Sequence, residues 1–577
     1  MKKKLLPALI VTGLIILVVI IMGITALINK YTPTKKTEDL KEYFNISSDD
    51  EAALIVDNEL SDYKAKIIDK KIYVDYKFVH DSLNSRFYWD ANENVLLYTT
   101  ASDIISAAAD SNSYSVTKQT NDFGYPIVKA TSDSALIALD YVKQYSNITF
   151  KSYDDPARIV ITSKWDEIDS ATVSKSTQVR VKGGIKSPIL KEVKKDDKIT
   201  ILDSGDKWDK IATEDGVIGY IKGKALSESK KTKLTNPDYE EETFTHIKKD
   251  KDICLAWNQV TSQSANSKVP QVISSTKGIN VMSPTWFYLN DNNGNLADIA
   301  SKDYVSYCHS QGIEVWGLFS NFENTDVDAA YVLTHTSTRT TLINQIMSAA
   351  FNYELDGVNI DFENITEAAY GDSYIEFIRE LAIKCHNNGI SLSVDVTVPA
   401  SFNKFFNRSD MANFADYIVI MGYDEHYKGS DAGSVSSIPW VTEGVESTLK
   451  EVPADQIILG MPFYTRIWEL TPKEDDDAVT DTEDQSKYTV ASQVYSMDAA
   501  AAQLATNNAT AALDEESGQN YAEWSVSNKL YKVWLEDNTS LENRLKLVDD
   551  NKLAGAAFWK LGFENSSVWD TVIKYLN

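Results

Sequence analysis

Cysteine is scarce in this chain of 577 residues. The three present, Cys254, Cys308 and Cys385, are too few for a disulfide framework, and their neighbours (ICLAW, SYCHS, IKCHN) read as ordinary strand or helix positions, so buried free thiols are expected. Histidine is also sparse. His80, His246, His309, His335, His386 and His426 show no HExxH or similar ligand spacing, so neither a metal nor another cofactor is expected. There is no G-x-S-x-G nucleophile elbow and no phosphate-binding glycine loop. Positive charge is in deficit too, with 57 Lys and Arg against 84 Asp and Glu and a net charge of −27. Such a chain repels a phosphate backbone, which sets nucleic acid aside as a partner and leaves a neutral polymer such as a glycan open. The acidic run KEDDDAVTDTED (473–484) lacks the glycine of a calcium loop and reads as a solvated loop.

What is abundant lies first at the amino terminus. MKKK precedes an uncharged run, Leu5 to Asn29, that as a helix would span roughly 37 Å against a hydrocarbon core of about 30 Å. The run is longer than the apolar core of a signal peptide and has no small-x-small site, which favours a retained single-pass membrane helix over residues 1–30. Lys2, Lys3 and Lys4 then stay in the cytoplasm and the rest of the chain lies outside. The remaining composition, 43% hydrophobic and 24% charged, is that of folded protein in several domains.

After a polar tether (31–44), residues 45–165 contain two similar passages, each reading as strand, helix and then two strands around a polar turn. They resemble the α+β module named after the amino-terminal domain of copper amine oxidases. His80 is the only histidine there, so no copper is expected. Residues 172–226 read as short strands separated by turns. Val179, Arg180, Gly205, Asp206, Trp208, Asp215, Gly216, Gly219 and Tyr220 form a VR, GD-W, DG-xx-GY pattern similar to bacterial SH3-like domains, a resemblance that implies an all-β barrel and cell-wall binding. A charged linker (227–244) follows.

From 245 to 577, strand-like and helix-like segments alternate, which predicts parallel strands with crossover helices. Eight strand candidates begin near 253, 279, 313, 355, 390, 417, 457 and 554, the number needed for a (β/α)8 barrel with chemistry at the carboxyl ends of its strands. The stretch 464–537 is too long for a plain loop and is expected to form a small α+β insertion. In the fourth segment, DGVNIDFEN (356–364), Val358, Ile360 and Phe362 are apolar, while Asn359, Asp361 and Glu363 share the other face. Carboxylates on a buried face are costly unless something uses them.

DGVNIDFE resembles the DxxDxDxE signature of family 18 glycoside hydrolases, the chitinase-like enzymes; Asp356, Asp361 and Glu363 fit, and Asn359 stands where the signature has Asp. MGYD (Met421 to Asp424), GMPFYTRIW and FWKLGFEN with Trp559 are similar to the motifs of the sixth, seventh and eighth strands, and the wording is closer still to the bacterial cortex-lytic and spore-germination N-acetylglucosaminidases. The resemblance implies Glu363 as proton donor and Asp361 as the group orienting the substrate's acetamido function. It implies Tyr423 as a hydrogen bond to that function, Trp559 as the floor under the sugar, and Asp424, Met421, Asn359 and Asp356 as further substrate-binding residues. Asn cannot ionise, so Asn359 is expected to leave Asp361 permanently charged. Trp257, Trp286, Trp316 and Trp440 are open between packing and sugar contact. Peptidoglycan or chitin is the expected substrate. The alternative is a lectin-like wall-binding protein, against which the presence of Glu363 argues.

Overall fold

The computed structural model describes residues 2–363, 365, 370–473 and 485–576, so the acidic run lies, but for Lys473, outside the described residues. The apolar amino-terminal run forms the helix Lys2–Tyr31. Its stretch Leu9–Tyr31 is long and apolar enough to cross a membrane, whether as an anchor or as a signal sequence. The chain divides into two units: the first takes in 1–89, 107–114 and 122–241, the second 90–106, 115–121 and 242–577.

In the first unit, the hairpin Thr149–Tyr153 and Arg158–Thr162 lies against Glu51–Val56, with Ala53 opposite Arg158 in parallel register. A seven-stranded sheet spans 167–233, in which Trp208–Thr213 pairs antiparallel with both Lys198–Asp203 and Ile218–Lys222.

The second unit is built on eight parallel strands: β1 (Ile253–Asn258), β2 (Val281–Leu289), β3 (Glu314–Ser320), β4 (Gly357–Asp361), β5 (Ser391–Thr397), β6 (Tyr417–Met421), β7 (Ile457–Pro462) and β8 (Gly555–Trp559). Each pairs with its neighbour in chain order, and β1 pairs with both β2 and β8, which closes the barrel. The eight expected strand segments are the eight staves. Period-two alternation divides the apolar residues into two cores. Leu255, Trp257, Val281, Trp316, Leu318 and Val419 fill the interior, whereas Val358, Ile360 and Phe362 point outward onto the helices. Gly357 is required at the base of β4, because a Cβ there would lie 2.5 Å from the ring of Trp316.

Residues 90–106 pack on the outside of the barrel. Asp90 accepts from Thr336 N and Oγ1 at 2.7 and 2.6 Å, and Thr99 Oγ1 donates to Glu376 Oε1 at 2.7 Å on the helix Gly371–His386. Between β7 and β8 an antiparallel five-stranded sheet forms from Tyr464–Pro472, Tyr488–Ser496, Ala512–Asp514, Gln519–Val526 and Lys529–Leu535, with the helix Met497–Thr506. Cys254, Cys308 and Cys385 are buried free thiols.

Candidate active site

The polar face of β4 points into the barrel. Asn359 is wholly buried there and uses all four hydrogen-bonding positions of its amide. Its Oδ1 accepts from Trp257 Nε1 at 3.0 Å and Ser283 Oγ at 2.9 Å, and its Nδ2 donates to Ser393 Oγ at 3.0 Å and Asp395 Oδ1 at 2.7 Å. The indole can only donate, which fixes the orientation of the amide. Asn359 thereby ties β1, β2 and β5 to β4.

The next inward position is Asp361, only 6% exposed. Its Oδ1 is buried with no hydrogen-bond partner among the described residues. Asn359 lies opposite Ser393 in the ladder, so continuing that register sets Asp361 beside Asp395. Burial above all, then the charges of Asp395, Glu363 and Glu323, push the Asp361 carboxyl well above the usual range. Burial does the same to Asp395, with Glu363 adding to the effect and the bonds from Asn359 and Trp257 opposing it. Against the expectation of a permanently charged Asp361, burial first and the charge of Asp395 second favour its protonated form, while Asn359 is occupied with its own four bonds.

Glu363 follows two residues beyond β4, where the strand opens into the cleft. Its backbone N–H donates to Asn321 Oδ1 at 3.1 Å, which holds the turn. The side chain keeps contact with solvent, yet the protein crowded around its carboxyl is the largest cause of a raised pKa, followed by Asp424 and Glu323. A carboxyl so placed holds its proton to higher pH than a free glutamate.

Around these acids lies a cleft of about 640 Å³ whose lining includes Trp257, Met421, Tyr423, Asp424, Trp440 and Trp559. Trp257 meets Trp559 edge-on at 6.0 Å and Tyr423 at 6.4 Å, making an aromatic floor. Burial, then Asp361 and Asp395, push the Tyr423 hydroxyl well above its usual range, so it remains a donor. Asp424 has a left-handed backbone, φ 61°, and its Oδ1 accepts from Tyr464 OH at 2.6 Å. Of the four tryptophans left open, Trp257 and Trp440 line the cleft. Trp286, bonded to Asn266, and Trp316, stacked on Tyr417, are core.

Two expected substrate-binding residues do not line the cleft: Asn359, wholly buried with its amide bonds all made inside the barrel, and Asp356. Asp356 precedes β4 at the opposite end of the barrel, where its Oδ2 accepts from His309 Nε2 and from Val315 N, both at 2.8 Å. The spacing of the motif put it on the same strand, but not at the same end. Asp395, Glu323 and Tyr464, which donates to Asp424, went unread in the sequence as parts of the site. Asp395 was legible in SLSVDV, where Ser391, Ser393 and Asp395 repeat the alternation of β4. Glu323, whose two oxygens both stand 2.6 Å from Ser320 Oγ, follows β3 in a loop and carries no periodic signal.

The closed barrel thus gathers these carboxyls and an aromatic floor at the carboxyl ends of its strands, the end at which barrels of this kind carry their chemistry. Residues 324–564 match the model of the glycosyl hydrolases family 18. The uncharacterized glycosylase YvbX of Bacillus subtilis is 24% identical over 302 residues, covering 49% of this chain and 81% of that protein. The cortical fragment-lytic enzyme of the same organism is 24% identical over 287 residues, covering 48% of this chain and 63% of that enzyme. Among solved structures, the Bacillus megaterium spore cortex-lytic enzyme SleL aligns at 19% identity with a TM-score of 0.49, over 60% of this chain and 77% of that one. These comparisons support a glycosidase, whose barrel is similar over residues 324–564 to the glycosyl hydrolases of family 18.

Proposed function

We propose that the chain is a membrane-anchored, extracytoplasmic hydrolase of β-1,4-linked N-acetylglucosamine polymers, with peptidoglycan the favoured substrate and chitin the second. The observation that carries this reading is the buried Asp361, whose Oδ1 has no partner among the described residues, two positions before Glu363 in the lining of an aromatic cleft, where burial raises the Glu363 pKa. The relatives' printed names, cortical fragment-lytic enzyme and di-N-acetylchitobiase, support a glycan of N-acetylated amino sugars. The apolar helix supports an anchor, and the 172–226 segment is proposed to hold wall material.

In this mechanism a sugar ring stacks on Trp559, and its acetamido N–H supplies the donor that Asp361 Oδ1 lacks. Tyr423 donates to the acetamido oxygen and turns it toward the anomeric carbon. Glu363 protonates the departing glycosidic oxygen while the acetamido oxygen attacks, and then, as carboxylate, takes a proton from the water that opens the cyclic intermediate. Asp361 and Asp395 share protons as the acetamido nitrogen gains positive charge.

Mass spectrometry of muropeptides and chitin oligosaccharides after incubation with the detergent-solubilised chain tests the reading. New N-acetylglucosamine reducing ends, absent with Glu363→Gln, are expected. Wall material bound but uncut by the unmutated chain would transfer the reading to a lectin-like protein.

A further inference from the structure

The chain does not leave the apolar helix Lys2–Tyr31 as a free tether. Thr34 N donates to Ile185 O and Glu38 N to Ile189 O, both at 2.8 Å, and Ile189 N donates to Lys36 O at 2.9 Å. Residues 34–38 therefore run beside the loop 181–188 and the start of the strand Ile189–Val193. Arg180, only 3% exposed, clamps this junction: its guanidinium donates to Ser187 O at 2.6 Å and to Ile185 O and Thr34 O at 3.3 Å. Lys186 Nζ closes it, donating to Thr32 O at 2.7 Å and to Asn29 O, at the helix end where intrahelical donors run out and a cation is favoured. Gly183 packs the loop onto the sheet, since a Cβ there would come 3.2 Å from Trp208.

The junction carries charge opposite to that of the whole chain. Residues 29–37 and 180–190 contain Lys30, Lys35, Lys36, Arg180, Lys182 and Lys186 and no Asp or Glu, against a net charge of −27. Arg180 and Lys186 are occupied with carbonyls, whereas Lys30, Lys35, Lys36 and Lys182 are exposed and pair with no carboxylate among the described residues. Lys30 lies in the last turn of the helix beside Tyr31, which is 67% exposed, and basic and aromatic side chains at the end of an apolar span belong to the membrane interface. On the anchor reading above, on which this inference rests, the end of the helix is the outer surface of the bilayer. There the geometry points to a lipid-binding seat: residues 30–36 and the loop 181–188 form a cationic collar that takes the phosphodiester headgroups of anionic phospholipid and holds the 167–233 sheet on the membrane. The occupant is a lipid because the collar is bonded to the helix end itself, which sets its lysines at or near headgroup depth, where charge-assisted contacts to phosphate form.

To test this, the full chain is reconstituted in phosphatidylcholine bilayers, and electron paramagnetic resonance compares how much spin-labelled phosphatidylglycerol and spin-labelled phosphatidylcholine it immobilises. One lysine at an anionic surface shifts association by about fivefold, so phosphatidylglycerol should be preferred by about fivefold or more at low salt. The preference should fall toward unity at about 1 M salt, where the screening length is about 3 Å. The triple variant Lys35→Gln, Lys36→Gln, Lys182→Gln, which spares Arg180 and Lys186, should lose most of it. Lys194→Gln, Lys195→Gln, Lys198→Gln removes as many exposed lysines beyond the far end of Ile189–Val193 and should keep it. Equal immobilisation of the two lipids, a preference that survives the first triple variant, or one lost equally in the second overturns the proposal. Displacement of phosphatidylglycerol by a soluble glycerol phosphate polymer at equal phosphate concentration overturns it in favour of a wall polyanion. A chain released from the bilayer by alkaline carbonate defeats the anchor reading and the seat with it, whereas a chain retained there without lipid preference defeats the seat alone.

Discussion

Strand β4 carries an aspartate at each end, and the two do opposite things. Asp356 and Asp361 are five positions apart, about 17 Å of extended chain. Asp356 has its oxygen bonded to His309 and to the backbone N–H of Val315. The same device recurs two strands on: Asp416, just before β6, accepts from His386 Nε2 at 3.0 Å and from Leu392 N at 2.8 Å. In both, an aspartate ahead of a strand grips a histidine from a helix and the start of the preceding strand. Asp361, at the other end, has an oxygen with no partner among the described residues and feels the charges of three acids, Asp395, Glu363 and Glu323. A carboxylate whose bonds are all made within the fold ties the barrel together. One left short of a donor and crowded by like charge is available to a substrate.

The largest effect that separates the two ends should come from Asp361→Asn. It is expected to lower kcat of the purified chain by about 10²- to 10³-fold, as losing one fixed electrostatic group at a reacting centre commonly does, without lowering the melting temperature, which should rise at alkaline pH because a buried carboxyl with a raised pKa is removed. Asn359→Asp should act less on turnover, within about tenfold by steady-state assay, because the donors Trp257 and Ser283 keep their acceptor. Its 2.7 Å contact with Asp395 becomes a pair of carboxyls that must share a proton. An activity that rises from nothing to a normal level in this variant would refute the role given to Asn359.

Asp395→Asn tests the pH linkage. A carboxyl with a folded pKa above its unfolded value binds more protons in the folded state, so its stabilising contribution is complete below the unfolded pKa and is lost as pH rises through the folded one. Removing Asp395 should therefore raise the melting temperature at about pH 8 relative to the parent, with a smaller gain at about pH 5. The pH at which Asp361 gives up its proton should fall, because it loses a neighbouring charge that helps to hold that proton, and any limb of kcat/KM that follows Asp361 should move to lower pH. The smallest catalytic effect belongs to Asp356→Asn, which should cost about 1 to 2 kcal/mol in denaturant unfolding with kcat and the pH profile unchanged.

The barrel was readable because its signal is local. Each stave is a short apolar run flanked by a helix, and alternation along DGVNIDFE separated the wall from the interior. Asp361, Glu363, Tyr423 and Trp559 fell at strand ends and meet in one cleft. Asp356 did not, since motif spacing gives distance along a strand and not which end of it faces the ligand. Asp395 was missed although its strand repeats the polar alternation of β4, because its importance comes only from the register with Asn359. Glu323 and Tyr464 could not be read: one lies in a loop and the other in the inserted sheet, and only the closed barrel brings them to the acids. The two similar passages in 45–165 also part company in three dimensions. The second hairpin stays with Glu51–Val56, whereas residues 90–106 belong to the barrel's unit.

The measurement that bears most directly on Asp361 and Glu363 acting together on the substrate's own acetamido group is proton NMR of the product anomer first formed from a chitooligosaccharide. Attack by the acetamido oxygen followed by water gives two inversions, so the account predicts the β-anomer first, with the α-anomer appearing only at the rate of spontaneous mutarotation. The α-anomer appearing first would mean a single direct displacement by water, and would contradict the role assigned to the carboxyl end of β4.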